Sequence, residues 1–190
     1  MLLTETFTVL QSFGLVVAVS ASVFAWRAYA AKKRLLQALK TNPTIAVVGQ
    51  KSTNKNVLIQ SLGFVQRSRI FYGLYTSEDG RIQLIDLDLD GLDIKKLTEI
   101  NLKKVLYVFD TSKSSLPIET QIKDFENLSS AVKVECIPVV VKSSEAEGEK
   151  IKFLEEKFGR LKAVDLHKEL EDIKLLQEML KEGLVTASAS

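Results

Sequence analysis

A single cysteine, Cys136, in a chain of 190 residues excludes an internal disulfide. It suits a domain that faces a reducing compartment. Cys136 lies in an apolar run, so it reads as a small buried hydrophobe and not as a reactive thiol. A single histidine, His167, cannot supply both the base and the orienting partner of a nucleophilic site. No other catalytic constellation takes its place, and no metal-binding set is expected. The net charge of +2 is too small to point to nucleic acid. No internal repeat and no low-complexity segment appears.

Charge of either sign is missing from Phe7 to Trp26. About 20 helical residues rising about 1.5 Å each span the ~30 Å hydrocarbon core of a bilayer. Acid is missing from Arg27 to Lys40, so residues 1–40 carry five basic groups against Glu5 alone. That net +4 leaves −2 on the rest of a chain totalling +2. A cleaved signal peptide has its basic residues before the apolar run, and here they come after it. A core helix usually shows a polar stripe, whereas Gln11, Ser12, Ser20 and Ser22 are scattered. Residues 1–40 are therefore expected to form a transmembrane anchor and a basic juxtamembrane helix, with Trp26 and Tyr29 at the interface. The positive-inside rule puts the C-terminal domain in the cytosol or the mitochondrial matrix. The basic helix would equally serve as an internal mitochondrial targeting signal.

The length allows one domain beyond this extension, expected over residues 41–185, with a frayed tail at 186–190. Pro43 closes the linker helix. A strand over Thr44–Val48 leads to a helix over Lys55–Leu62 that Gly63 stops. A hairpin pairs Ile70–Thr76 with Arg81–Asp88 through the Ser77–Gly80 turn. Further strands are expected at Lys104–Asp110, Val134–Val141 and Ala163–Leu166. Helices are expected from Pro117 to Leu128, over Glu145–Phe158 and over Glu169–Leu184. In the last of these, Leu170, Ile173, Leu176, Leu180 and Leu184 form an apolar stripe. This alternation predicts an α/β fold: a mostly parallel sheet with helices on both faces and one antiparallel edge strand.

Between the first strand and first helix lies Gly49-Gln50-Lys51-Ser52-Thr53-Asn54-Lys55-Asn56. A phosphate-binding loop reads Gly-x-x-x-x-Gly-Lys-Ser/Thr in that setting. Gly49 and Lys55 are in register. Asn54 replaces the second glycine, and Asn56 replaces the hydroxyl residue that would reach Mg²⁺. Asn54 tolerates left-handed backbone angles better than most residues, so the loop shape can persist. Its side chain, however, would fill space that glycine leaves for phosphate.

The element order, the loop and the single N-terminal span resemble the small GTPases of the Arf class. They are most like the β subunits of signal recognition particle receptors. The resemblance rests on the anchor, Ile45–Gly49, Leu84–Leu87, Val105–Asp110 and Ile137–Lys142, and runs over residues 1–184. It implies a P-loop GTPase-like fold and a vestigial nucleotide site at Gly49, Asn54, Lys55, Asn56 and Lys142. The Asp-x-x-Gly motif matches either as Asp86 onward, with Leu89 at the glycine, or as Asp88–Gly91, with Leu92 at the water-orienting glutamine. Either way the hydrolytic group is missing. No threonine occurs in the matching first switch, Gln66–Arg69. The guanine-reading motif becomes Val141-Lys142-Ser143-Ser144, without its carboxylate.

The resemblance thus implies a pseudo-GTPase with no catalytic residues. Clustered like charges are costly unless exposed or metal-bound, so Asp86, Asp88, Asp90 and Asp93 read as solvated carboxylates at a strand end, with a divalent cation held by two of them as the alternative. No cofactor is expected, although GTP or GDP could stay as a static ligand. The expected role is a docking or structural subunit of a membrane protein complex. Its surface would comprise Ile70, Phe71, Tyr72, Leu74, Tyr75, Leu89 and Leu92. Two alternatives stand beside it. One is a receptor-β-like subunit that binds GTP at the endoplasmic reticulum, the favoured membrane. The other is an accessory subunit of a mitochondrial membrane complex.

Overall fold

A computed structural model describes residues 25–51, 54–66, 73–142, 148–159, 162–165 and 170–181. The chain divides into two compact units, Met1–Ala38 and Leu39–Ser190. Helix α1 covers residues 25–41. The expected span lies almost wholly outside the described residues, at 7–24. Among the described residues, no helix is long and apolar enough to cross a membrane.

The second unit is built on a seven-stranded sheet in the order β2-β3-β4-β1-β5-β6-β7. The strands are β1 (Thr44–Gly49), β2 (Val65–Gln66), β3 (Leu74–Thr76), β4 (Gln83–Asp88), β5 (Leu102–Phe109), β6 (Glu135–Lys142) and β7 (Lys162–Asp165). Helices α2 (Lys55–Ser61), α3 (Ile94–Leu97), α4 (Ile118–Ala131), α5 (Gly148–Phe158) and α6 (Leu170–Lys181) connect or succeed them. β1 lies parallel between β4 and β5, and β5, β6 and β7 continue in parallel. β3 runs antiparallel to β4, as the hairpin requires. It is not the edge strand, however. The two-residue β2, not expected from sequence, pairs antiparallel with β3 and takes the edge.

Strand side chains alternate between faces, so each buried strand feeds two cores. Ile45 and Val47 of β1 join Leu106, Val108, Val139 and Val141 beneath Leu58 and Ile59 of α2 and Leu176 and Leu180 of α6. Ala46 and Val48 point the other way. They join Val105, Tyr107, Phe109 and Val140 under Ile122 and Phe125 of α4 and Leu154 of α5. An aromatic cluster of Tyr107, Phe109, Phe125 and Phe158 fills that second core, with ring centroids 4.7–5.9 Å apart. On the first face, Lys104 is buried in β5. It pairs with Glu135 at 3.2 Å and donates to the Met179 carbonyl in the last turn of α6. A cation there satisfies an orphan carbonyl and complements the helix dipole.

Candidate functional site

In open α/β sheets, ligands bind beyond the carboxyl ends of the strands where the strand order reverses. Here the chain leaves β1 for the β2-β3-β4 side of the sheet, and crosses after β4 to β5 on the other side of β1. The parallel register sets Asp86 opposite Val47 and Asp88 opposite Gly49. Because strand side chains repeat every second residue, both carboxylates leave β4 on the same face.

Lys55, the first residue of α2, comes from the loop to meet them. Its side chain is almost fully buried. The ammonium donates to Asp88 Oδ1 at 2.7 Å, to the Leu87 carbonyl at 2.9 Å and to the Gly49 carbonyl at 3.2 Å. Asp86 Oδ1 stands 3.0 Å away. That contact is ionic and not a directed hydrogen bond, because the oxygen is buried without one. Three ammonium protons thus face four oxygens, two of them on carboxylates. Asp86 is in turn held from behind, where its backbone N–H donates to the Gly73 carbonyl at 2.7 Å. Gly73 has φ +89°, and a Cβ there would lie 2.9 Å from the Asp86 carbonyl oxygen. Only glycine lets the two chains approach this closely.

Asn56 is engaged as well. Its Oδ1 accepts from the Tyr75 hydroxyl at 3.2 Å. Burial, and then the nearby Asp86 charge, push the Tyr75 phenol above its ordinary pKa. This keeps Tyr75 a donor across the physiological range. An open cleft of about 550 Å³ lies beside the pair, lined among others by Gln60, Phe64 and Glu78.

The other expected site residues take varied positions. Asn54 stands at the N-cap of α2 with φ −73°, so the loop does not use left-handed angles there. Its side chain makes no capping bond. Lys142 ends β6 opposite Asp165, and its side chain is outside the described residues. Leu74 and Tyr75 are buried in β3 and do not contribute to an exposed surface. Leu89 and Leu92 are partly buried against the second core. Their apolar character serves packing. Ile70, Phe71, Tyr72 and His167 lie outside the described residues.

The four aspartates do not form a uniformly solvated group. Asp86 and Asp88 hold Lys55, and Asp93 caps α3 by accepting from Lys95 N–H at 3.2 Å. Among the described residues, no group of three acidic, histidine or cysteine side chains is placed to hold a metal ion.

A second polar node, not expected from sequence, closes the end of β5. Gln121 of α4 is fully buried. It accepts from Asp110 N–H at 2.8 Å and donates to the carbonyls of Asp110 at 2.8 Å and Leu116 at 3.0 Å. Lys150 of α5 donates to the Ser112 carbonyl and the Ser115 hydroxyl of the same loop at 2.8 and 3.1 Å. Lys157 of that helix reaches Glu126 of α4 at 3.0 Å. A glutamine at the N-terminal turn of a helix carries no signal that it will turn inward, so only the packed structure exposes this node.

The fold is that of P-loop GTPase domains. The apo structure of translation elongation factor SelB from Methanococcus maripaludis is similar to this chain with a TM-score of 0.51 and 15% identity, covering 80% of this chain. The chain spans only about 36% of that protein's length. The G-domain of FeoB from Methanococcus jannaschii matches with a TM-score of 0.46 and 12% identity, over 76% of this chain and 99% of that domain. No protein-family model matches the chain. No curated protein matches it in sequence.

Proposed function

We propose that this chain is a membrane-anchored pseudo-GTPase that serves as a docking or structural subunit of a membrane protein complex. The observation that carries the reading is the commitment of Lys55. In a working phosphate loop the lysine reaches the terminal phosphates. Here the ammonium is neutralised by Asp86 and Asp88 and further held by two carbonyl oxygens. A triphosphate entering this space would have to draw the ammonium away from both carboxylates. Asn56, at the Mg²⁺ position, offers an amide already engaged by Tyr75. The residues present therefore do not fit a magnesium-bound nucleoside triphosphate. No hydrolytic step is assigned to them.

The membrane reading is supported by the uncharged run Phe7–Trp26 and the basic residues after it. The preferred location is the endoplasmic reticulum membrane, with the α/β domain in the cytosol, in keeping with the receptor-β resemblance. A reporter fused to residues 1–40 tests the location, since mitochondrial staining would move the protein to a complex of that organelle.

The decisive experiment is to purify the intact protein with its native partners, denature it and identify released small molecules by mass spectrometry. No guanine nucleotide is expected, and the copurifying proteins would name the assembly. Stoichiometric GTP or GDP, lost in Lys55→Ala, would replace this reading with that of a GTP-binding receptor subunit.

A further inference from the structure

The exposed face of α1 has no role in the site described above. Arg27, Lys32, Lys33 and Arg34 are all exposed, and no acidic residue occurs in this helix. Trp26 is 69% exposed and Tyr29 66%. At 3.6 residues per turn, Trp26, Tyr29 and Lys33 fall within a sector of about 60°. Ala31 and Leu35, on the opposite side, are half-buried. Lys33 shares this sector with the two aromatics; Lys32 lies about 60° beyond it on one side, and Arg34 and Arg27 about 80° and 100° beyond it on the other. A single exposed aromatic on a soluble helix is ordinary. Two aromatics interleaved with four cations match a different environment, the headgroup layer. There aromatic rings sit at the apolar boundary and basic groups reach phosphate. The uncharged run ends at Trp26, which sets this face at that depth.

We propose that α1, through basic side chains spread around its exposed sides, binds the phosphate headgroups of anionic phospholipids and gathers them around the protein. The inference rests on the membrane-anchored reading. It adds a lipid preference that anchoring alone does not require, because basic residues that only set orientation act during insertion. A Lys or Arg near an anionic surface is worth about fivefold in binding. Four on one short helix are enough to select among lipids that otherwise mix freely.

Trp26 is the only tryptophan in the chain, so it reports on its own surroundings. The full chain is reconstituted in phosphatidylcholine nanodiscs doped with dansyl-phosphatidylserine or, at the same mole fraction, dansyl-phosphatidylcholine. Energy transfer from Trp26 is then compared. Transfer to the anionic probe is expected to exceed transfer to the zwitterionic one by about twofold or more. The ratio should fall toward one at 1 M salt, where the Debye length is about 3 Å. It should also fall toward one in Lys32→Gln/Lys33→Gln/Arg34→Gln, which retains Trp26. Equal transfer to both probes in the unaltered chain overturns the lipid preference and leaves the anchor standing. Release of the chain from membranes by alkaline carbonate overturns the anchor, and this inference with it.

Discussion

Lys55→Met should destabilise the protein by about 3 kcal/mol, because it leaves a buried carboxylate without its counter-ion. Methionine keeps the apolar stem and removes only the charge. The two ion pairs are unequal. The Lys55 side chain is 4% exposed and that of Asp86 17%, so this is a largely buried pair. Removing one partner of such a pair costs roughly 3–5 kcal/mol. Asp88 is 46% exposed and is screened by solvent, so its share resembles a surface pair at about 0–1 kcal/mol. Partial exposure of Asp86 brings the total to the lower end of the range. With a urea m-value of about 2 kcal/mol/M, the unfolding midpoint should drop by about 1.5 M. Adding Asp86→Asn and Asp88→Asn to Lys55→Met should recover at least half of the loss, since no charge then remains to be compensated. Lys55→Met alone also brings two carboxylates and two carbonyl oxygens together without a cation, a donor set that suits Ca²⁺. Millimolar Ca²⁺ should raise the midpoint of this variant and leave the parent protein unchanged. A loss below about 1 kcal/mol, or an equal loss in the Asp86→Asn/Asp88→Asn background, would refute the claim that Lys55 is committed to these carboxylates.

Gly73→Ala should cost about 2–3 kcal/mol by thermal or urea unfolding, combining a left-handed backbone with a 2.9 Å approach to the Asp86 carbonyl. A change under 0.5 kcal/mol would mean that β3 can shift away freely. Gln121→Leu should cost about 2 kcal/mol, because Asp110 loses both partners of its buried N–H and carbonyl. An equally stable variant would show that water replaces the amide. Tyr107→Phe tests an alkaline effect. The hydroxyl donates to the Gln121 carbonyl at 3.0 Å, so its loss costs about 1 kcal/mol near neutrality. Burial, and then the Asp124 charge, raise the Tyr107 phenol above its usual range. Folded Tyr107 therefore keeps its proton where the unfolded chain has lost it. That stabilisation is whole below the unfolded value near pH 10 and shrinks above it, by about 1.4 kcal/mol per pH unit. Urea titrations at pH 9 and 11 should show a shallower decline in Tyr107→Phe than in the parent, and parallel declines would count against the assignment.

Most of the sheet could be read from the order of residues because its signals are local. Thr44–Gly49, Leu102–Phe109 and Glu135–Lys142 contain apolar runs flanked by polar residues, and they form three adjacent parallel strands of the sheet. The stripe Ile173, Leu176 and Leu180 packs on the first core as its spacing requires. Short elements escape such a reading. β2 has two residues and α3 has four, too few for either period to show. Leu89 and Leu92 read as surface residues because a strand end looks the same in sequence whether a helix covers it or not.

Lys55 marks the boundary between the two kinds of knowledge. Its place after a strand and before a helix, with asparagine on either side, is a property of the chain order and reveals a phosphate-loop framework with altered chemistry. The partner of its ammonium is not. Lys55 and Asp88 are 33 residues apart, and they meet because β4 pairs with β1 in a register that aligns Asp88 with Gly49. Moving that register by one residue would turn both aspartates to the other face of the sheet. Local composition sets the strands and helices through backbone preference and apolar period. The pairing of charges waits on long-range register, which no short stretch of residues encodes.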